Sequence, residues 1–202
     1  MVDLPADTRA FGRSILAVVE GDITKPESLP GATREVDQIL FTAGVTGGRT
    51  GEPLIRATTY DGIRNTLAAA RETGFRGRFL YMSTVAVTTP SLAGTLLNLV
   101  KRNILKWRRL AEEEIRSSGT DYTIIRAGML TNDPAGRRAL EIGQDGYPLA
   151  FQYRISRADV AEVFVQALRH PETRRTCFNV VGTGGSPRTE WDLLFRSLKP
   201  DA

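Results

Sequence analysis

The segment ILKWRRLAEEEIRSSGTDYTIIRAGML, residues 104–130, has the pattern of a helix, a tight turn and a buried strand. Apolar residues recur at spacings of three and four over Ile104–Ser117, which predicts a helix with one buried face and charged residues, Glu112 among them, over the rest. Gly119 suits the left-handed position just past a helix end. Residues 121–126 are β-branched and mostly apolar, as in a strand covered on both faces. A helix that leads into such a strand is half of a parallel α/β unit.

Strands and helices alternate along the rest of the chain. This order predicts a doubly wound α/β fold with a parallel sheet covered on both faces. Ser156 opens a capping box at the start of one helix, and residues 131–153 form an irregular segment of the kind that shapes a binding cleft. The predicted strands are 15–19, 37–43, 78–83, 121–126 and 177–181; the further helices are 54–73, one after Ser156 and one after Ser186, with a loop from 84 to about 95.

Composition bounds the class of protein. A chain of 202 residues, 41% hydrophobic and 25% charged, is expected to form one globular domain, 1–202, in which 183–202 supply a C-terminal helix. The single cysteine excludes an internal disulfide. No apolar run approaches the roughly 20 residues that a membrane span needs, and no cleavable signal is visible, so we expect a soluble compartment such as the cytoplasm or an organelle stroma. The net charge of +4 is spread out, and no nucleic-acid partner is expected.

Several pieces of the chain together resemble a known family. They are VVEGDI at 18–23, DQILFTAG at 37–44, SGTDYTIIRAG at 118–128 and ISRADVAEV at 155–163. In this order and spacing, they are similar to the atypical short-chain dehydrogenase/reductase family, in its NAD(P)H-binding, NmrA-like branch. The resemblance covers about residues 14–182. It implies a Rossmann-like sheet with a dinucleotide, NADP or NAD, at the carboxyl ends of the strands.

The resemblance also implies which residues would contact the dinucleotide. All of them follow predicted strands, where small side chains let a cofactor approach the backbone. The residues themselves allow another interpretation of Asp22 and Ser83, as turn residues bonded to nearby backbone. The matched positions are Asp22 and Ile23 beside the adenine, Ala43 and Gly44 along the adenosine half, Ser83 beside the reactive ring, and Ala127, Gly128 and Met129 as the wall near the nicotinamide.

The first departure from the family is the phosphate-binding turn. The family opens with a strand, a GxxGxxG turn, a helix and a second strand, whereas here VVEGDI, which matches the third strand, begins only about fifteen residues in. The fold is therefore expected to lack its first β-α-β, with the amide donors that grip the pyrophosphate. The glycine-rich run Thr42–Gly51 could cradle an anion, but its glycine spacing does not match and a flexible loop is the simpler interpretation.

This loss leaves the predicted strand Ile15–Val19 without its family neighbours. Three outcomes are open. The strand pairs directly with Gln38–Thr42, which a short right-handed crossover allows and which we favour. A second copy of this chain, as a homodimer, or another partner chain fills the gap at the open sheet edge. Or Met1 is not the native start of the protein.

The second departure is chemical. The superfamily uses Tyr-x-x-x-Lys, in which tyrosine donates the proton and lysine lowers its pKa. Arg108 stands at the lysine position and Ile104 at the tyrosine position. Arg108 can still contact ribose or phosphate but is a poor proton shuttle, so Ser83 and Arg108 are the remaining catalytic candidates. Cys177 is predicted to be a core residue, and no metal site is predicted.

Two functions follow from this pattern. The first is an NAD(P)(H)-binding member of the family, a candidate oxidoreductase without the Tyr-x-x-x-Lys dyad. The second is a catalytically inert redox sensor or assembly subunit that keeps the fold and has lost the chemistry. A sugar-nucleotide epimerase is a weaker third hypothesis, because it would need the same turn and tyrosine. Whether the chain is an enzyme is left open by the sequence.

Overall fold

A computed structural model describes residues 17–45, 51–186 and 190–201 of the chain. Strands and helices alternate through most of it. The strands are β1 (Gln38–Phe41), β2 (Arg78–Thr84), β3 (Asp121–Ala127), β4 (Leu130–Thr131), β5 (Ala139–Gly143), β6 (Ile155–Ser156) and β7 (Thr176–Thr183). The helices are α1 (Pro30–Thr33), α2 (Glu52–Arg56), α3 (Gly62–Glu72), α4 (Leu92–Val100), α5 (Ile104–Ser117), α6 (Arg157–Arg169) and α7 (Trp191–Phe195), with a π-helical turn (Ala57–Asp61) between α2 and α3.

The central sheet has five strands in the order β1-β2-β3-β7-β5. The first four run parallel, and β5 pairs antiparallel with β7. Strands β4 and β6 form a separate short parallel pair. The predicted α/β, Rossmann-like parallel sheet is therefore confirmed. Within the described residues nothing pairs with the outer side of β1, so β1 is an edge strand of the sheet.

Both faces of the sheet are covered, as the apolar strands predicted. On one face, α3 and α5 bury Ile63, Leu67 and Ile115 against the strands. On the other face, α6 and α7 bury a second cluster that includes Phe164 and Phe195. This two-sided burial accounts for the apolar residues in the middle of the central strands.

The segment 104–130 folds as predicted. Helix α5 occupies Ile104–Ser117, and Gly119 follows it with a φ of 76°, a conformation that glycine adopts without strain. Strand β3 comes next and is buried along most of its length. Ser156 accepts a hydrogen bond from the amide of Asp159 at 2.9 Å, which confirms the predicted cap of α6.

The predicted strand Ile15–Val19 is wrong where it can be checked. Ile15 and Leu16 lie outside the described residues, and Ala17–Glu20 form no strand. Val18 and Val19 are exposed, so direct pairing with Gln38–Thr42 does not occur there. The chain is instead held just beyond, where the side-chain amide of Asn65 on α3 donates from Nδ2 to the carbonyl of Ile23 at 2.8 Å. This contact ties the segment to a helix rather than to the sheet edge.

Other predictions differ in detail. Helix α4 begins inside the stretch 84–95 that was predicted as a loop and continues beyond it, and β5 lies in the segment predicted as irregular. The predicted helix 54–73 is divided by the π-helical turn. The start of the last predicted helix falls at residues 187–189, outside the described residues, as do residues 46–50 of the glycine-rich run. No helix in the part of the chain described is long and apolar enough to cross a bilayer.

Candidate functional site

The carboxyl ends of β1, β2 and β3 meet at one edge of the sheet because the three strands are parallel. Ser83 near the end of β2 is in register with Arg126 of β3. Gly44 follows β1, and a Cβ placed on it would lie 4.0 Å from Nη2 of Arg108. Arg108, on α5, donates from Nη1 to the carbonyl of Met82 at 3.0 Å. The structure therefore brings Gly44, Arg108 and the end of β2 into one place.

Ser83 is closed off from solvent. Its side chain is 4% exposed, and its hydroxyl donates to Oε1 of Glu112 at 2.6 Å. Glu112 is 1% exposed and is also held by Arg126, whose Nε donates to Oε1 at 3.0 Å and whose Nη2 donates to Oε2. Burial is the largest single influence and works to lower the pKa of Arg126, but the hydrogen bond to Glu112 and the negative charges nearby together raise that pKa. The buried carboxylate is thus paired with a cation, as burial requires.

The same ion pairs extend to the C-terminal segment. Arg116 lies 3.4 Å from Glu112 and 3.1 Å from Asp201. Asp201 also accepts from the hydroxyl of Tyr122 at 2.9 Å and from the amide of Cys177 at 3.1 Å. Cys177 is buried, and burial, together with the charge of Glu112, raises the pKa of its thiol to about 12. It is a core residue rather than a nucleophile, as predicted.

Glu112 and Arg126 were missed by sequence reasoning. Glu112 was predicted on the charged, exposed side of its helix. It lies instead on the side of α5 that faces the sheet, and it is buried like its neighbour Ala111. The available signal was Arg126, since an arginine in a strand that is covered on both faces needs an acceptor for its buried donors.

Asp22 and Ile23 lie on a turn that packs against α3. Oδ1 of Asp22 accepts from the amide of Thr24 at 2.9 Å and from its hydroxyl at 2.7 Å. These two bonds, the hydroxyl first, lower the pKa of Asp22. This is the turn geometry that the residues allowed as an alternative. Within the described residues the hydrogen bonds of Asp22 stay inside its own turn, so it is not joined directly to Gly44.

The segment Ala127–Met129 is a wall built from backbone contacts. The amide of Gly128 donates to Val180 at 2.9 Å, and the carbonyl of Met129 accepts from Ile155 at 2.8 Å. A Cβ on Gly128 would lie 2.2 Å from the carbonyl oxygen of Tyr153. Only glycine fits at this position, because the backbone of Tyr153 lies too close for any side chain.

The position that carries tyrosine in the superfamily is apolar here. Ile104 is 6% exposed and packs with Val85 and Ala86. Arg108 lies one turn further along α5, with its guanidinium on Met82. The described residues hold no cluster of three or more His, Cys, Asp or Glu side chains suited to a metal ion.

Comparison with known proteins decides the family. Residues 1–171 match the sequence profile of a family described as NAD(P)H-binding. The chain belongs to this NAD(P)H-binding family. The resemblance to atypical short-chain dehydrogenase/reductases is thereby confirmed.

Two relatives illustrate how far the similarity reaches. The chain is 30% identical to sanguinarine reductase from Eschscholzia californica over 194 residues, which cover 79% of this chain and 70% of that protein. It is 37% identical over 147 residues to the Arabidopsis thaliana protein named "Uncharacterized protein At2g37660, chloroplastic", with coverage of 68% and 42% respectively. The chain thus spans less than half the length of the second relative.

Solved structures agree on the fold. The oxidoreductase ylbE from Lactococcus lactis superposes with a TM-score of 0.71 at 17% identity, covering 92% of this chain and 80% of that chain. A short-chain dehydrogenase/reductase from Veillonella parvula in complex with NADP superposes with a TM-score of 0.65 at 19% identity, covering 88% and 77%. At such identities the likeness establishes the Rossmann-like fold and nothing finer.

Proposed function

We propose that this chain binds NAD(P)H across the carboxyl ends of β1, β2 and β3 and is an oxidoreductase without the usual tyrosine. Gly44 leaves room for the adenosine half, with Asp22, Ile23 and Ala43 beside it. Ser83, Ala127, Gly128 and Met129 form the side nearest the reactive ring. The nicotinamide, when bound, supplies a hydride. In this proposal residues 1–202 act as a single dinucleotide-binding domain.

The observation that carries the proposal is the position of Arg108. Its guanidinium lies between the exposed Gly44 and the end of β2. An arginine has five N–H donors, and the bond to Met82 uses only part of this capacity. Donors of this kind form charge-assisted bonds to phosphate and hydrogen bonds to ribose hydroxyls. The residues around Gly44 therefore fit one part of a dinucleotide, while the sequence contains no GxxGxxG turn for the pyrophosphate.

A second function, a catalytically inert redox sensor or assembly subunit, is favoured by Ser83 and Ile104. The hydroxyl of Ser83 is buried and donates to Glu112, so it has no free proton to offer a substrate. Ile104 cannot donate one. A protein of this kind would bind the cofactor and respond to it without turning over a substrate.

A titration tests the binding site. We expect NADPH and NADH to bind the 202-residue chain with a Kd of roughly 100 μM or worse, because the missing turn normally contributes several charge-assisted bonds of about 1.5–3 kcal/mol each. Arg108→Met should weaken binding by about tenfold or more. Lys106→Met, which removes an exposed cation two residues earlier on α5, is the matched control. Binding this weak can be measured from NMR chemical-shift changes during the titration. If Arg108→Met leaves the Kd of NADPH as little changed as Lys106→Met does, the proposed contact with Arg108 is wrong.

A turnover assay separates the two functions. The chain is mixed with NADPH and a panel of quinone and carbonyl acceptors, and the absorbance of the reduced nicotinamide is followed. An oxidoreductase consumes NADPH with at least one acceptor, and Arg108→Met lowers that rate in step with its binding. A sensor or assembly subunit binds NADPH and leaves it reduced. Titrating both cofactors also tests the choice between NADP and NAD.

The open edge of β1 is part of the proposal. Leu40 on this strand is 44% exposed, and an unpaired parallel edge is a template for another strand. We propose that a second copy of this chain pairs there. Sedimentation should show a dimer that Leu40→Lys dissociates. A monomer at all concentrations would leave the edge to a different partner chain.

A further inference from the structure

Helix α4 carries no charged residue in its nine positions, LAGTLLNLV. One of its sides packs on the protein, where Ala93 and Leu97 join the apolar cluster around Val85 and Ile104. The helix is fixed at both ends. Ser91 accepts from the amide of Gly94 at 3.0 Å, and Asn98 accepts from the amide of Leu105 at 3.0 Å. The helix is therefore packed on the protein by one face, and Ser91 and Asn98 form hydrogen bonds within the protein.

The other side of α4 is apolar as well, and it faces solvent. Leu92 is 92% exposed, Leu96 61%, Leu99 77% and Val100 54%. Their spacing of four, three and one places them along one stripe of the helix. We call these four residues the α4 stripe. A helix that is apolar on both sides, with one side uncovered, indicates a surface that meets an apolar medium or partner.

The charged residues of the chain segment that contains the α4 stripe are all positive. No Asp or Glu occurs from Thr84 to Ala111. Arg102 and Lys106 are exposed and follow the stripe along the chain, Arg102 two residues after it and Lys106 on α5, where its ammonium lies 4.9 Å from the centre of the Trp107 ring. Glu52, which reaches this region from α2, accepts from Asn103 and Trp107. The cations of this stretch are Lys101, Arg102, Lys106, Arg108 and Arg109.

We propose that the α4 stripe and the cations that follow it form a contact surface for a membrane with anionic lipids. Leucines inserted at the level of the headgroups, with Lys and Arg beside the lipid phosphates, are the combination that holds a helix in the plane of a bilayer. The contact is peripheral, and α4 lies on the membrane without crossing it.

A second copy of this chain fits the surface less well. A nine-residue helix is only about 14 Å long, whereas a stable protein contact buries about 800 Å² per partner. Two α4 helices packed antiparallel would also place Arg102 of one copy near the N-terminus of α4 in the other, where no acidic residue is available to pair with it. Charge complementarity therefore favours an anionic lipid surface.

Vesicle flotation tests the proposal with the full chain. Two kinds of vesicle are used, phosphatidylcholine alone and phosphatidylcholine mixed with an equal amount of phosphatidylglycerol. The chain should float with the mixed vesicles and not with phosphatidylcholine alone. The double variant Leu96→Ser, Leu99→Ser should lower binding by at least about tenfold. Arg102→Gln and Lys106→Gln should each lower it by about fivefold, and raised salt should weaken it too.

Leu193→Ser is the matched control. Leu193 is 57% exposed on α7, so its replacement removes an equally accessible leucine from another helix and should leave flotation unchanged. Circular dichroism and the Tm establish that each variant is folded. The proposal is overturned if the chain floats with neither vesicle, or if flotation is indifferent to the stripe variants. It is also overturned if those variants instead dissociate a dimer in sedimentation, because the surface would then belong to a second copy.

Discussion

The two halves of the predicted dinucleotide site are built in opposite ways. Beside the edge strand β1, Ala43 and Gly44 are exposed, and among the described residues the hydrogen bonds of Asp22 go to Thr24, Lys25 and Ser28 of the turn that follows it. Between β2, β3 and α5, Ser83 donates to a buried carboxylate and Gly128 is pressed against Tyr153. The open half can meet a ligand without rearranging, whereas the closed half already has its polar groups satisfied. Stability should therefore depend on the closed half, and ligand affinity on the open one.

The largest effect is expected from Glu112→Ala in the closed half. The substitution leaves Arg126 buried without its acceptor, and removing one partner of a buried pair costs about 3–5 kcal/mol of unfolding free energy. Urea denaturation measures this loss. Glu113→Ala, on the exposed side of the same helix, is the control and should change the free energy by about 0.5 kcal/mol or less. Equal losses at the two positions would mean that the ion pair with Arg126 does not stabilise the fold.

Alanine substitution of one glycine in each half compares how tightly the two halves are packed. Gly128→Ala should destabilise the chain by about 1–3 kcal/mol, because overpacking forces backbone shifts and the added methyl would lie 2.2 Å from the carbonyl of Tyr153. Gly44→Ala should be nearly neutral for stability, since the nearest atom among the described residues would be Nη2 of Arg108 at 4.0 Å. Thermal unfolding of both variants decides the matter. A costly Gly44→Ala would show that the open half is as tightly packed as the closed one.

The closed half also predicts how stability changes at high pH. Burial raises the pKa of Cys177 from 9.0 to about 12, and burial with the bond to Asp201 raises that of Tyr122 from 10.0 to about 12. A pKa raised by folding gives stability that is complete below the unfolded value and is lost as pH rises toward the folded one. The Tm should therefore be insensitive to these groups below pH 9 and should fall between pH 9 and 12.

Cys177→Ala sharpens this test. With the thiol gone, the fall should begin only near pH 10, where the tyrosines with raised pKa, Tyr122 among them, start to contribute. Thiol labelling of the native chain at neutral pH should be slow, since the protonated thiol is unreactive, and fast in denaturant. Rapid labelling without denaturant would mean that this half opens readily.

The parts of the fold that the sequence predicted well are those with a single strong pattern. Helix α5 has one apolar face and charged residues elsewhere, and its bounds agree with the prediction. Helix α4 was not predicted, and its first turn was included in a loop, because its apolar residues lie on two sides and show no single face. The apolar run at Ile15–Val19 gave no information on whether a neighbouring strand exists, which depends on distant parts of the chain.

The site was predictable only in outline. Parallel strands place their carboxyl ends together, so the meeting of Gly44 with the end of β2 followed from the topology. The bond between Ser83 and Glu112 did not follow, because nothing in the run EEE at 112–114 marks its first residue as buried. Local pattern gives the strand ends, and tertiary packing decides which charged side chains are enclosed.

The smallest effect is expected at Asp22 in the open half. Asp22→Ala removes the acceptor of the Thr24 amide and hydroxyl, but the group is at the surface, and the Tm should hardly change. If Asp22 contacts the adenine side, loss of one hydrogen bond should weaken NADPH binding by about three- to tenfold. Asp22→Asn keeps an acceptor for the turn and removes the charge. Binding that weakens only in the alanine variant assigns the effect to the shape of the turn, and binding unchanged in both variants makes Asp22 a turn residue alone.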